Sequence, residues 1–307
     1  MIHAVDIAPP ATAPDDLRLG HWLVEQKKRP RVAFVGFPSD AGVKLNGGRP
    51  GAADAPGAIR KMLYKLTPDS RNYAAFCALL KRTTDLGNVQ VSGDVDLDQQ
   101  HLGEVLAPLL QQETIPIVLG GGHETAFGHF LGYAKSAQPV HITNIDAHAD
   151  VRPLKNGKAH SGSPFFQALE FGANVCHGYT VLGLSPLSVA QAHIQYLMEK
   201  GCVFHWRNEI DHAFLHTYFT DLKQPTMLTL DMDVVHQAEA PGVSAPAADG
   251  IPLKLVYEAA YLAGKSPFVK SLDLVEVNPL VDKDLQTVRA AAVTLWYFLC
   301  GLTERTA

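Results

Sequence analysis

PVHITNIDAHAD, residues 139–150, joins a strand to a cluster of ligand-type side chains. Its first half, PVHIT, is apolar and β-branched and reads as a β-strand. Its second half places Asp146, His148 and Asp150 at i, i+2 and i+4, with alanine between them. If the backbone stays extended, side chains two apart point to one face. Two carboxylates that close repel unless something positive lies between them. Either a metal ion or solvent can meet that need. Polar groups at the C-terminal end of an apolar strand are the layout of open α/β sheets.

The same layout repeats along the chain. Further strand candidates are RVAFVGF (31–37), IPIVLGG (115–121), YTVLGL (179–184), CVFHW (202–206), TMLTLDMDV (226–234) and VKSLDLVEV (269–277). Most are near-continuous apolar runs, as expected of parallel strands covered on both faces. Amphipathic helical patterns lie between them at 55–66, 98–112, 185–201, 252–265 and 283–302. Several begin with Ser, Asp or Pro, which suit helix starts. The alternation predicts a single three-layer α/β/α domain around a mostly parallel sheet. No linker divides it. Residues 1–30, with PPATAPDD, read as an irregular N-terminal arm, and 31–307 as the catalytic domain.

Composition narrows the class. The 307 residues carry a formal charge of −5, which gives no support for nucleic-acid or membrane-surface binding. Four cysteines are scattered without a C-x-x-C pair, which fits a reducing cytoplasm rather than a disulfide or zinc-thiolate framework. The N-terminus lacks a signal-peptide pattern, and there is no apolar run of transmembrane length.

Other polar groups also fall at predicted strand ends. His123 and Glu124 follow IPIVLGGG, Asp231 and Asp233 end TMLTL, and Glu276 ends SLDLV. The candidate ligands are His123, Asp146, His148, Asp150, Asp231 and Asp233. Four carboxylates and two imidazoles exceed what one divalent ion uses, but suit two ions with bridging carboxylates. An oxygen-rich set with some imidazole favours Mn²⁺ over Ca²⁺, Cu or structural Zn²⁺. Two such ions lower the pKa of a shared water. Taken singly, D-x-H-x-D also occurs in solvated loops and caps, and a lone histidine is an ordinary buried polar residue. The joint placement at several strand ends is what favours a dinuclear site.

GGGHE (120–124), NIDAHAD (144–150), LDMD (230–233) with APG after it, and EVNP (276–279) resemble, in that order, the motifs of the ureohydrolase family. That family comprises arginases, agmatinases, guanidino-acid hydrolases and formimidoylglutamases, and the resemblance covers residues 31–300. It implies a single α/β domain, two Mn²⁺ ions bridged by hydroxide, and a homo-oligomer, trimer or hexamer. By the same resemblance, His123 and Asp150 would hold one ion, and His148 and Asp233 the other. Asp146 and Asp231 would bridge them. Glu276 matches the carboxylate that pairs with a cationic amidine or guanidine, and such a pair can be bidentate.

Two departures stand out. DMDVVHQ carries His236 and Gln237 where many members have Asp-Pro, outside the matched ligand positions. HSGSPF (160–165) puts Ser161 where arginases carry a histidine before glycine, with His160 one place earlier as a proton-shuttle candidate.

Members differ in what hangs from the reacting group. Arg152, two residues beyond Asp150, can take a substrate carboxylate in a bidentate pair. Lys44, Asn46 and Arg49, on a Gly-rich loop, and Ser161 are further substrate-contact candidates. FPSDAGVKLNGGRPGAADAPGAIR (37–60), DVRP, SGSPF and APGVSAP resemble the formimidoylglutamase branch. The implied reaction is hydrolysis of N-formimidoyl-L-glutamate, a step of histidine breakdown, to L-glutamate and formamide. The bridging hydroxide would attack the formimino carbon, with Asp150 and Glu276 in catalytic roles. The alternatives are another ureohydrolase that releases urea, such as a guanidino-acid hydrolase or agmatinase, and a non-catalytic metal-binding paralogue.

Overall fold

A computed structural model describes residues 1–13, 15–172 and 174–305. Pro14 of the predicted arm, and Ala173 and the last two residues of the predicted domain, lie outside it. The described residues form one nine-stranded sheet. Its strands are β1 (Ile2–His3), β2 (Val32–Gly36), β3 (Thr83–Val89), β4 (Ile115–Leu119), β5 (Val140–Ile145), β6 (Cys176–Leu184), β7 (Val203–Trp206), β8 (Thr226–Asp231) and β9 (Val269–Val275). Their order is β1-β3-β2-β4-β9-β8-β5-β6-β7. Every pairing is parallel except that of β1 with β3.

Alternate residues of the central strands feed apolar clusters on the two faces of the sheet. Ile117 of β4 and Leu228 of β8 pack into one cluster with α3 (Ala55–Leu63), α9 (His212–Thr220), α10 (Leu253–Lys265) and α11 (Gln286–Thr303). On the other face lie α5 (Val95–Gln111), α6 (Thr125–Ser136), α7 (Pro164–Phe171) and α8 (Gln191–Glu199). Val118 and Met227, the next residue or the one before, face that side. This is the α/β/α layering that the sequence pattern predicts. The apolar run of α11 is spent on the core, where Leu295, Phe298 and Leu299 are fully buried.

The N-terminal segment departs from an irregular arm in two places. β1 adds an antiparallel edge strand, and Leu19 and Leu23 of the short helix at Leu19–Leu23 are fully buried. β3 was not legible as a strand, because Asp85, Gly87 and Asn88 break its apolar pattern. Asp85 is tolerated in the core because Arg60 of α3, itself fully buried, grips both carboxylate oxygens, at 2.7 and 3.0 Å.

Strand order is what makes a site. β4, β9, β8 and β5 are consecutive and parallel, so their C-terminal ends open on the same edge of the sheet. Residues from positions 123, 146, 231 and 276 meet there although the chain separates them widely.

Candidate metal centre and substrate cavity

Both acidic motifs use the same local device. His148 N–H donates to Asp146 Oδ1 at 2.7 Å, and Asp233 N–H donates to Asp231 Oδ1 at 2.7 Å. In each, the first aspartate folds its own backbone into a tight turn and swings the i+2 side chain back beside it. The expected extended run through 146–150 is therefore replaced by a bend, and Asp150 adopts a left-handed backbone with φ of 45°. Aspartate tolerates that conformation better than most residues. The glycines ahead of His123 let the β4 turn close: a Cβ on Gly121 would lie 1.8 Å from the Ser39 carbonyl oxygen.

Two ligand groups result. In the first, His123 Nδ1 lies 3.3 Å from Asp146 Oδ2 and 3.0 Å from both Asp150 Oδ2 and Asp231 Oδ2. In the second, His148 Nδ1 lies 3.5 Å from Asp146 Oδ1 and 3.0 Å from Asp233 Oδ2. Within each group, one ligand atom per residue lies within 4.8 Å of the others. Asp146 belongs to both groups, with one oxygen toward each imidazole. Asp231 faces the first group through Oδ2, while its Oδ1 holds the turn.

The electrostatics call for cations. Burial, with repulsion from Asp233 and Asp146, drives the Asp231 carboxyl well above the usual carboxylate range. Burial pushes Asp233 up to about 6. Against its own burial, the adjacent His123 and His148 imidazoles hold Asp146 well below the ordinary value. Protons are thus shared out over a crowded acidic site. His123 Nδ1 and Asp233 Oδ1 are buried without a hydrogen-bond partner. These orphaned atoms and the mixed oxygen–nitrogen donor set fit divalent ions, and four ionised carboxylates balance the charge of two.

Glu276 stands beside this centre. It is buried, accepts a hydrogen bond from His123 N–H at 2.8 Å through Oε1, and has a φ of 64°. Burial, then the nearby Glu124 carboxylate, pushes it up to about 8. His148, Asp150, Asp231, Asp233 and Glu276 line a cavity of about 310 Å³, which Asn46, Arg49, Arg152 and Ser161 also line. A larger cleft of about 630 Å³ near α10 and α11 holds neither ligand group, so size does not identify the site.

The substrate-contact candidates separate. Arg152 reaches the cavity although the chain is not extended there, and its Nη1 donates to Asn46 Oδ1 at 3.2 Å. Asn46 in turn donates to Ser161 Oγ at 3.1 Å. Arg49 lines the cavity, but its Nε and one Nη donate to the backbone carbonyls of Ser244 and Val243. Lys44 is drawn away: it pairs with buried Asp40 at 2.6 Å and does not line the cavity. His160, the proton-shuttle candidate, is tied into its own loop. Its Nε2 donates to Pro153 O at 3.1 Å and its Nδ1 accepts from Gly162 N–H at 3.1 Å, so both ring nitrogens are committed to the loop. His236 accepts from Ala238 N–H and stabilises its own turn away from the cavity. Cys176 begins β6, at the end of the strand opposite the site.

Sequence reading missed several contributors. Gly47, Gly48, Ser244 and Ala245 line the cavity. Asn278 of EVNP ties the end of β9 to the Gly-rich loop by donating to the carbonyls of Arg49 and Pro50, at 3.1 and 3.0 Å. Its place inside a quoted motif was the available signal.

Comparison with known proteins agrees with this geometry. The Arginase family profile matches residues 30–301. Formimidoylglutamase of Salmonella enteritidis is 36% identical over 303 residues, covering 92% of this chain and 91% of its own. The Geobacillus sp. formimidoylglutamase is 36% identical over 270 residues, covering 85% and 80%. Among solved structures, Trypanosoma cruzi formiminoglutamase with Mn²⁺ superposes with a TM-score of 0.87 at 28% identity, covering 95% of this chain and all of that one. By the span and identity of these matches, the chain belongs to the arginase family.

Proposed function

We propose that this protein hydrolyses N-formimidoyl-L-glutamate to L-glutamate and formamide at a dinuclear Mn²⁺ site. The observation that carries the reading is a single cavity lined by members of both His–carboxylate groups, by Glu276 and by the Arg152 guanidinium. Acidic groups and a guanidinium in one cavity suit a substrate that carries both a cationic amidine and carboxylates. The names of the relatives support the same substrate.

His123, Asp146, Asp150 and Asp231 would hold one ion, and Asp146, His148 and Asp233 the other. Asp146, a member of both groups, would be shared between the ions, and so would Asp231 by the family resemblance. Bound ions supply Lewis acidity and a water of lowered pKa. The protein supplies the rest. Glu276, when ionised, orients the amidinium, and Arg152 clamps a carboxylate in a fork that Asn46 steadies. Asp150 accepts the proton of the attacking water and returns it to the nitrogen that leaves as the α-amino group of glutamate. We place the enzyme in the cytoplasm, in keeping with its free cysteines, and as a trimer or hexamer, which light scattering would test.

The deciding experiment is a product assay of the Mn²⁺-loaded protein with N-formimidoyl-L-glutamate, arginine, agmatine and guanidinobutyrate. Formamide and glutamate from the first alone support the reading. Urea from any of the others keeps the family chemistry and overturns the substrate.

A further inference from the structure

Behind His123, a row of polar side chains runs away from the cavity through the core. Thr229 Oγ1 lies 2.9 Å from His123 Nε2 and donates to Asp273 Oδ1 at 2.5 Å. Asp273 Oδ2 lies 2.6 Å from His129 Nδ1. His129 Nε2 and the Tyr133 hydroxyl each lie 2.6 Å from Ser271 Oγ. Thr229, Asp273, His129, Ser271 and Tyr133 are all fully buried. Apolar residues could fill this space between β8, β9 and α6 without the desolvation cost of a buried carboxylate and its partners. Sequence patterning gave no sign of the row, which none of the quoted motifs contains in full.

The hydrogen inventory has a consistent solution in one direction. Burial pushes the Tyr133 hydroxyl well above its ordinary value, so it keeps its proton and donates to Ser271. Ser271 then donates to His129 Nε2, which leaves the His129 proton on Nδ1, facing Asp273. Asp273 accepts from His129 on one oxygen and from Thr229 on the other. The Thr229 hydrogen is thereby spent, and its oxygen can only accept. His123 must therefore donate from Nε2, and its Nδ1 lone pair faces Asp146, Asp150 and Asp231. Among the described residues the ring of His148, 23% exposed, has no comparable backing.

We propose that Thr229, Asp273 and His129 are positioning residues that lock His123 in its Nε2–H tautomer and raise the donor strength of Nδ1 toward a divalent ion. The carboxylate acts through an interposed hydroxyl, a longer version of the carboxylate–histidine–metal arrangement. The inference rests on the metal centre of the function proposed above, and not on its substrate.

The test is a titration of the metal-free full-length protein with Mn²⁺, with the free ion read by electron paramagnetic resonance. Thr229→Val and Asp273→Asn should each weaken one of the two ions by roughly 10- to 100-fold. Thr229→Ser, which keeps the hydroxyl, should restore wild-type binding. The double variant should bind no more weakly than the weaker single one, because both cut the same row. Folded Val and Asn variants with wild-type Mn²⁺ affinity would overturn the proposal. Should those variants not fold, nitrogen-15 NMR of histidine-labelled wild type loaded with Zn²⁺ decides: a proton on His123 Nε2 and His129 Nδ1 supports it, and the opposite tautomers refute it. Failure of the wild type to bind Mn²⁺ would instead sink the metal reading. Tight Mn²⁺ binding without turnover would sink only the substrate.

Discussion

Replacing Arg152 with alanine tests the substrate reading at one side chain. The guanidinium is held at the cavity by one contact, Nη1 to Asn46 Oδ1 at 3.2 Å, and by its backbone N–H to Gly162 O at 2.9 Å. Its remaining donors can meet a carboxylate as a fork. A hydrogen bond between charged groups contributes about 1.5–3 kcal/mol. Arg152 is solvent-exposed, so screening places the loss near the lower end, about 1.5–2 kcal/mol. That corresponds to roughly a 10- to 30-fold rise in KM for N-formimidoyl-L-glutamate, with kcat little changed, because the contact is made equally in ground and transition states. Arg152→Lys keeps the charge without the fork and should fall between the two. Steady-state kinetics read the effect, and elemental analysis shows whether Mn²⁺ content is unchanged. A KM within twofold of wild type would refute the clamp. A fall in kcat with loss of Mn²⁺ would mean that the change acts through Asp150, two residues away.

Asp231→Ala removes a carboxylate that faces His123 and holds the Asp233 turn. The variant should lose both ions and all turnover, and full Mn²⁺ occupancy would exclude the bridging role. Arg60→Ala strands Asp85 as an unpaired buried charge, which should cost about 3–5 kcal/mol in urea unfolding; a loss below about 1 kcal/mol would show that solvent reaches Asp85. His141 should set part of the acid sensitivity. Burial lowers it to about 4 in the folded protein, against about 6.5 when unfolded. The unfolded chain takes up the proton first as pH falls, so stability is full above about pH 6.5 and drains toward pH 4. From pH 7 to 5 the loss is about 2 kcal/mol by linkage. His141→Gln should flatten the unfolding free energy by that amount over this range, and equal slopes in both proteins would refute it.

Local chemistry explains what was readable in advance. Most of strands β2 and β4–β9 are largely apolar, because a parallel strand covered on both faces needs apolar residues at most positions. The ligand positions stood at the ends of those runs, where a strand stops and its polar groups reach the sheet edge. β3 stayed hidden because Arg60, Asp85 and Asn88 look like surface residues until α3 is packed on the sheet and the charges cancel in the core. Lys44 and His160 had the right types for their expected roles, but Asp40 and the Pro153 carbonyl claim them.

By itself the sequence determined the layered α/β class, the six ligand-type residues and the carboxylate of EVNP. The first two follow from periodicity and from side-chain chemistry that each short segment carries alone, and the role of Glu276 from the resemblance of its motif to a family. The tertiary structure decided the rest: the strand order that sets β4, β9, β8 and β5 side by side, the division of the ligands into two groups sharing Asp146, and the row behind His123. Each is a contact between residues far apart in the chain. Strand pairing and helix packing set such contacts, and no local pattern encodes which distant donor will meet which acceptor.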